Sequence, residues 1–332
     1  MMTMIQTLFD STDFPVDERF DRWHEMAMRS LAASDIATES PHQDFRATMQ
    51  HLDLGAVQIV AMTYPSLRCR RTPRLIRQND PEYLSLGMIL EGKQGIAQGG
   101  RESIAGPDDL VLYDTSHPYE AHVTAATPVV ARTVVAQFPR ALLPTRNFEQ
   151  LLGARMSGRV GTGGLVAQFL FGLVRDADHY EPADCPRLAT VFLDLLSITL
   201  ARELGAGCEL PPESPQNALM LRIHAFIQQH LGDPELSPVT IAAAHQISVR
   251  HLHQLFRQQD LTVSAWIRRE RLARCRRDLA DPRLRGRPIH AIALRWGFPR
   301  PADFTRTFRL SYDMTPSEYR EMVPHSLVGV ES

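Results

Sequence analysis

Three textures of apolar spacing follow one another along the chain. From Pro15 to Ala33, Phe20, Trp23, Ala27 and Leu31 recur at three and four residues behind Asp17 and Glu18, which predicts an amphipathic helix. From about Asp44 to Phe138 the period falls to two. Phe45, Ala47 and Met49 alternate, and so do Leu84, Leu86, Met88 and Leu90. Gln98-Gly-Gly-Arg101 suits a hairpin turn, Gly106-Pro-Asp-Asp precedes a strand at Leu110–Tyr113, and Val129 to Phe138 reads as the last strand. Many short strands at this spacing predict a small barrel or sandwich. The helical period then returns. Leu165, Phe169 and Leu173 share one face of a first helix, and Leu188, Val191, Phe192, Leu195, Leu196 and Leu200 form a broad stripe on a second. Such a pair packs on its own domain.

Gly205 to Pro215 is rich in Gly and Pro and has no helical period, which marks a domain boundary. Beyond it, Pro238 to Ala244 reads as a short helix with Ser237 as its cap and Pro238 in its first turn. Ser248 caps a following helix on which Leu252 and Phe256 share one face while Arg250, His253, Gln254 and Arg257 point elsewhere. Helix, tight turn and a helix with a polar outer face form the helix-turn-helix pattern, whose second helix enters the DNA major groove. The pattern recurs in Ile289–Phe298 followed by Pro299–Leu310, with Phe304 and Phe308 repeating the apolar spacing and Gly297 ending the first helix. A helix over Thr262–Ala280, roughly 28 Å long at 1.5 Å per residue, joins the two units. That length suits two recognition helices about one DNA turn apart, near 34 Å. Thr315-Pro-Ser-Glu318 is a capping box for a closing helix.

Taken together, residues 217–323 resemble the AraC/XylS family of transcription regulators. The likeness rests on both helix-turn-helix units, the connecting helix, Ala293-Leu-Arg-Trp-Gly-Phe298, Phe304-Thr-Arg-Thr-Phe308 and Thr315-Pro-Ser-Glu-Tyr319. Two departures stand out. Gln246 occupies a turn position where the family often has glycine, so a left-handed backbone there would cost roughly 1–2 kcal/mol. Pro301-Ala302 stands where relatives often carry polar residues. Asp80-Pro-Glu-Tyr-Leu84 through Gly106-Pro-Asp-Asp-Leu-Val-Leu-Tyr-Asp114 is similar to the cupin-like sensor half of one branch of the same family.

The resemblance implies an α+β chain: a cupin-like β-barrel with a helical dimerisation segment over 1–204, a linker over 205–216, and an all-α double helix-turn-helix over 217–323. It implies an operator in double-stranded DNA, a small-molecule effector in the barrel, a homodimer, and RNA polymerase as a possible further partner. Carried onto this sequence, Arg250, His253 and Gln254 face base edges, with Ser248 and Arg257 near phosphates. In the second unit Thr305 and Arg306 face the groove, with Arg309 toward the backbone and Arg300 a further DNA contact. Arginine grips guanine O6/N7 and glutamine grips adenine N6/N7. Asp303 either accepts from a cytosine amino group or ties down Arg300 or Arg306.

Charge sharpens this division. The chain carries a formal −2, but Gln216–Arg320 holds seventeen arginines, no lysine and nine acidic residues, a local +8 that suits a polyanion. Lys93 is the only lysine, so the preference for arginine belongs to the whole chain and is not a recognition device. Cys69, Cys185, Cys208 and Cys275 show neither metal spacing nor a disulfide framework. Met1–Phe14 has no positive segment ahead of an apolar core, and no run approaches the roughly 20 apolar residues of a membrane span, so the chain is expected in the cytoplasm.

Candidate chemistry in the first half is sparse. Leu86, Met88 and Tyr113 line the barrel or simply fill it, and Arg71 sits in an arginine-rich loop with Arg68, Arg70 and Arg74 that either forks a carboxylate effector or is a solvated strand end. His117 is a further effector candidate. With Glu120 and His122 it also suggests a metal site, but the spacing is loose and lacks a third nearby ligand, so no metal or other cofactor is expected. The alternative to a regulator is an enzyme fused to a DNA-binding domain, either a metal-dependent cupin oxygenase or an alkyl-acceptor repair protein. The first requires a bound metal and the second a reactive cysteine.

Overall fold

The structure is a computed structural model that describes residues 5–38, 44–126, 130–143, 145, 147–181, 183–205, 215–257, 262–281 and 284–322. The expectations that fall on Val129, residues 206–214 including Cys208, Gln258, Gln259 and Val323 lie outside these residues. The chain divides into two compact units, Met1–Leu221 and Arg222–Ser332.

In the first unit the two-residue period becomes two antiparallel sheets. One runs in the order β1 (Ile5–Asp10), β3 (Thr48–Asp53), β4 (Gln58–Tyr64), β11 (Ala131–Pro139), β6 (Tyr83–Glu91), β9 (Asp109–Asp114), β12 (Arg155–Ser157). The other is β2 (Asp35–Thr38), β5 (Leu67–Arg71), β10 (Tyr119–Thr124), β7 (Lys93–Gln98), β8 (Arg101–Ala105). The β7–β8 hairpin closes with Gln98 opposite Arg101, and Gly99 and Gly100 both take positive φ, as a two-residue turn of this hand requires. β1 and β12 extend the first sheet beyond the strands that alternation predicts, so β11 is not the last strand.

A helical layer covers the other face of the larger sheet. It consists of α3 (Gly161–Arg175) and α4 (Cys185–Glu203). Leu84, Leu86, Met88, Leu110, Leu112, Val134, Ala136 and Phe138 join Val166, Leu170, Phe192, Leu196 and Leu200 in one apolar cluster. Ile89, Val111, Tyr113 and Val135, from the opposite faces of the same strands, join Ile96, Tyr119, Ala121 and Val123 in a second cluster between the sheets. The larger sheet is thus the middle of three layers and is apolar on both faces. This corrects the placing of Leu86 and Met88 inside the barrel: they face the helices, and only Tyr113 of that trio faces inward. Successive strand residues point to opposite faces, so a choice of face reassigns every side chain.

The predicted N-terminal helix is α1 (Arg19–Ser30), shorter than Pro15–Ala33 suggests, and its Trp23 and Ala27 are buried in the interior cluster. On α3 the buried face is Val166, Ala167, Leu170 and Leu173, so Leu165, expected on the packed face, is 52% exposed. Between β5 and β6 lies the short helix α2 (Pro73–Gln78).

In the second unit the caps set the boundaries. α5 (Pro215–Gln229) begins inside the expected linker, so Pro215 and Gln216 belong to a helix, and the division between the units falls within it. α6 (Pro238–Ala244) starts at Ser237, whose hydroxyl accepts from the Thr240 N–H in a capping box. α7 (Val249–Arg257) starts where the His251 N–H donates to Ser248 Oγ at 3.1 Å. α8 (Val263–Ala280) is capped by Thr262 and measures roughly 27 Å by the helical rise. α9 (Ile289–Arg295), α10 (Pro301–Tyr312) and α11 (Pro316–Met322) complete the unit, with Thr315 and Glu318 exchanging the two bonds of a capping box.

Candidate nucleic-acid interface and interior cavity

α7 presents a two-sided surface. Leu252, Leu255 and Phe256 are buried, and His224 of α5 packs between Phe256, tilted to it, and Trp266 of α8, edge-on to it, with ring centroids 5.4 and 4.5 Å away. The opposite side carries Arg250, His253, Gln254 and Arg257 at i, i+3, i+4 and i+7, one continuous helical stripe. Arg250, Gln254 and Arg257 are exposed and His253 is half-buried. Ser248 is exposed but its Oγ holds the helix start, so its placing near phosphate rests on a group that already caps α7.

The second unit repeats the arrangement. Phe304 and Phe308 of α10 are buried in a chain of rings with Phe298, Tyr312 and Tyr319 at centroid distances of 4.7–5.8 Å. Ala302, Thr305, Arg306 and Arg309 form the matching exposed stripe, and Arg300 stands exposed at the N-cap. Asp303 lies 3.4 Å from Arg306. Both groups are exposed, so this i, i+3 pair is weak and easily exchanged for a DNA partner.

Both turns use the same backbone device. The Ile247 N–H donates to Ala242 O at 3.0 Å, and the Phe298 N–H donates to Ala293 O at 2.9 Å. Each bond spans a left-handed residue, Gln246 (φ 54°) in the first unit and Gly297 (φ 76°) in the second. The first unit therefore carries the strain that its sequence implies. α8 ties the loop after α5 to the second turn. Arg271 donates to the carbonyls of Leu231 and Asp233 after α5 and to that of Gly297, while the Trp296 indole N–H donates to Asp278 Oδ2 at 2.7 Å. Trp266 of α8 packs through His224 on Phe256 of α7, and Leu272, Cys275 and Leu279 cluster with Phe304 and Phe308 of α10, so one helix holds both recognition helices in a single frame.

The first unit contains a different kind of site. A cavity of about 80 Å3 lies between the sheets under α1, lined in part by Trp23, Met28, Tyr64, Cys69, Tyr113, Tyr119 and Gln137. Of the effector candidates only Tyr113 lines it. Leu86 and Met88 face the helical layer, and Arg71 and His117 are occupied elsewhere. Arg71 is not in a solvated loop: it ends β5, is 1% exposed, and donates to the carbonyls of Thr115, Ala33 and Asn79. It borders an open groove outside the barrel instead. His117 Nδ1 lies 3.1 Å from Asp114 Oδ2, and Arg140 donates to the same oxygen at 2.8 Å. Arg70, by contrast, is exposed on β5 and lies 3.9 Å from Glu120. Sequence spacing does not single out Trp23, Ser34, Tyr64, Cys69 or Tyr119 as site residues, because α1, β4, β5, β10 and the residue before β2 each contribute only one of them.

The enzyme alternative gains nothing from these positions. Glu120 and His122 sit on the exposed face of β10 while His117 turns toward Asp114, and among the described residues no His, Cys, Asp and Glu side chains gather in a group able to hold a metal. Burial pushes the thiols of Cys69, Cys185 and Cys275 up, which opposes the thiolate that an alkyl acceptor needs. No helix among the described residues is long and apolar enough to cross a membrane.

Comparison with known proteins agrees with both halves. A family model described as an AraC-binding-like domain matches residues 23–201, and a helix-turn-helix domain model matches residues 241–322. The chain is 26% identical over 313 residues to the transcriptional activator NphR of Rhodococcus sp., covering 93% of this chain and 90% of that one. It is 29% identical over 151 residues to the XylDLEGF operon transcriptional activator of Pseudomonas putida, 45% of this chain and 46% of that one. Its fold is similar to the crystal structure of the AraC-like transcriptional activator CuxR, with a TM-score of 0.51 at 22% identity over 81% of this chain and 93% of that chain. A sheet-rich sensor half joined to paired helix-turn-helix units, matched by family models in both halves, places the chain in the AraC family of transcription regulators, which bind DNA and are not enzymes.

Proposed function

We propose that this regulator reads its operator with α7 and α10 in successive major grooves. Arg250, His253 and Gln254 meet base edges, Arg257 and Arg309 meet phosphates, and Thr305 and Arg306 form the second reading surface. Ser248 and Arg300 lie beside the backbone at the two helix starts. The observation that carries this reading is the repeated i, i+3, i+4, i+7 stripe opposite two buried apolar pairs, held in one frame by α8. The +8 charge of Gln216–Arg320 supplies the sequence-independent attraction.

We further infer that a small effector occupies the cavity under α1 and that the chain acts as a homodimer in the cytoplasm. Val191 of α4 is 43% exposed, and Leu188 and Leu195, at i−3 and i+4 from it, are only partly buried at the edge of the core, which suits a symmetric helical interface. Relatives named as transcriptional activators make RNA polymerase the natural further partner.

Selection of bound sequences from a random DNA library tests the first reading. The full chain is expected to enrich a site with two conserved blocks about one helical turn apart. A double Arg250→Ala/Gln254→Ala variant is expected to lose the preference in one block only. Enrichment of a single block that this variant leaves unaffected overturns the arrangement.

A further inference from the structure

The cavity under α1 has an unusual chemical balance. Its volume is about 80 Å3, a space of small-molecule size. Among the described residues that line it, none carries a carboxylate, an ammonium, a guanidinium or an imidazole. The titratable groups there are Cys69 and three tyrosines, and burial holds all four in their neutral form, with Tyr64 pushed up to about 12. Three of the polar side chains already have partners in the protein. Tyr64 Oη lies 3.0 Å from Thr133 Oγ1, Tyr119 Oη lies 3.3 Å from Ser34 Oγ, and Gln137 donates to Ser85 Oγ at 3.0 Å.

One donor differs. Trp23 is 2% exposed, lines the cavity from α1, and its indole N–H is buried with no hydrogen-bond partner in the protein. Its ring is held against Phe45 and Tyr64, at centroid distances of 5.3 and 5.6 Å. A buried donor left unmade is costly, and a native structure that keeps one needs a reason for it. An acceptor arriving with a ligand would satisfy it. An ion arriving there would lose its hydration with no counter-charge to replace it.

We propose that the effector is a small uncharged molecule with an apolar body and one hydrogen-bond acceptor that takes the Trp23 indole N–H. Met28 and Met62 in the wall supply the adaptable packing around that body. The acceptor class includes ketones, esters and ethers and excludes carboxylates and amines. This inference rests on the barrel interior being the sensing site, and the experiment separates the two.

The probes are 3-methyl-2-butanone and isobutyrate, which share a branched skeleton and differ in charge. The readout is the set of tryptophan indole resonances of the full-length protein labelled with 15N-tryptophan; the chain has three tryptophans, and Trp23→Phe identifies its own peak. The ketone is expected to move the Trp23 peak downfield in a saturable way. Isobutyrate at neutral pH is expected to bind at least roughly 100-fold more weakly, and Trp23→Phe to weaken ketone binding about 5-fold. Ala121→Leu, which fills the cavity from β10, is expected to abolish the ketone response in a background that keeps Trp23. Isobutyrate binding as tightly as the ketone and moving the Trp23 peak overturns the charge inference and leaves the barrel as the sensing site. A ketone that moves only the Trp266 or Trp296 peaks, or none, overturns the ligand class and the location together.

Discussion

The guanidinium of Arg271 occupies the space that a β-carbon on Gly297 would need. An ideal Cβ built on Gly297 would lie 2.5 Å from Arg271 Cζ, and Arg271 Nη1 donates to Gly297 O at 3.2 Å. Gly297 also takes a φ of 76°, so two independent constraints meet at this turn. The absence of a side chain on one residue is what lets the other tie α8 to the second helix-turn-helix.

Gly297→Ala is therefore expected to destabilise the second unit by about 2–4 kcal/mol, through left-handed strain and displacement of Arg271. Urea unfolding of a fragment beginning at Pro215 measures it. A loss below roughly 1 kcal/mol would show that the guanidinium moves aside freely.

That fragment is itself a prediction. His224, Ile223, Ile227 and Leu231 are buried, and the rings of His224, Phe256 and Trp266 pack together inside the second unit. The fragment should show a helical circular dichroism spectrum with one cooperative transition, and bind operator DNA without effector. A fragment that is unfolded or inert toward DNA would contradict two independent domains.

Gln246 is the counterpart of Gly297 in the first unit, and it bears a side chain at φ 54°. Gln246→Gly removes left-handed strain of roughly 1–2 kcal/mol and returns part of it as unfolded-state entropy, so a net gain of about 0.5–1 kcal/mol is expected. The measurement is the shift in the urea midpoint at constant slope. No gain would mean that the turn is already relaxed.

Gln254 and Arg257 should separate reading from gripping. Gln254→Ala is expected to cost roughly 1–3 kcal/mol on the preferred operator and almost nothing on random DNA. Arg257→Ala should weaken both alike and lower the slope of log K against log salt by about 0.9, the signature of one lost phosphate contact. Titrations at several salt concentrations distinguish these from two solvated residues, whose removal matters by only a few tenths of a kcal/mol.

Val191→Glu places a charge on the exposed stripe of α4, away from Phe192, Leu196 and Leu200, which are buried against the sheet. It should shift the full chain from dimer to monomer in sedimentation while leaving the fragment beginning at Pro215 able to bind DNA. A monomeric wild type would remove the basis for this expectation.

What the sequence determined by itself is what short-range chemistry controls. Ser237, Ser248, Thr262 and the Thr315–Glu318 pair start their helices because a hydroxyl or carboxylate reaches an N–H only three residues away. Gly99-Gly100 turns a hairpin because both residues tolerate positive φ, and the α7 and α10 stripes follow from helical spacing alone. The tertiary structure decided which partner each face meets. Alternation in β6 separates Leu84, Leu86 and Met88 from Ser85, Gly87 and Ile89, but with both faces apolar it cannot tell the helical layer from the barrel interior. Arg71 looked available for a ligand because the carbonyls that hold it come from Ala33, Asn79 and Thr115, far apart in sequence. The cavity is of the same kind. Trp23, Tyr64, Cys69 and Tyr119 become one wall only when α1, β4, β5 and β10 close around it, and no local pattern encodes a space left empty.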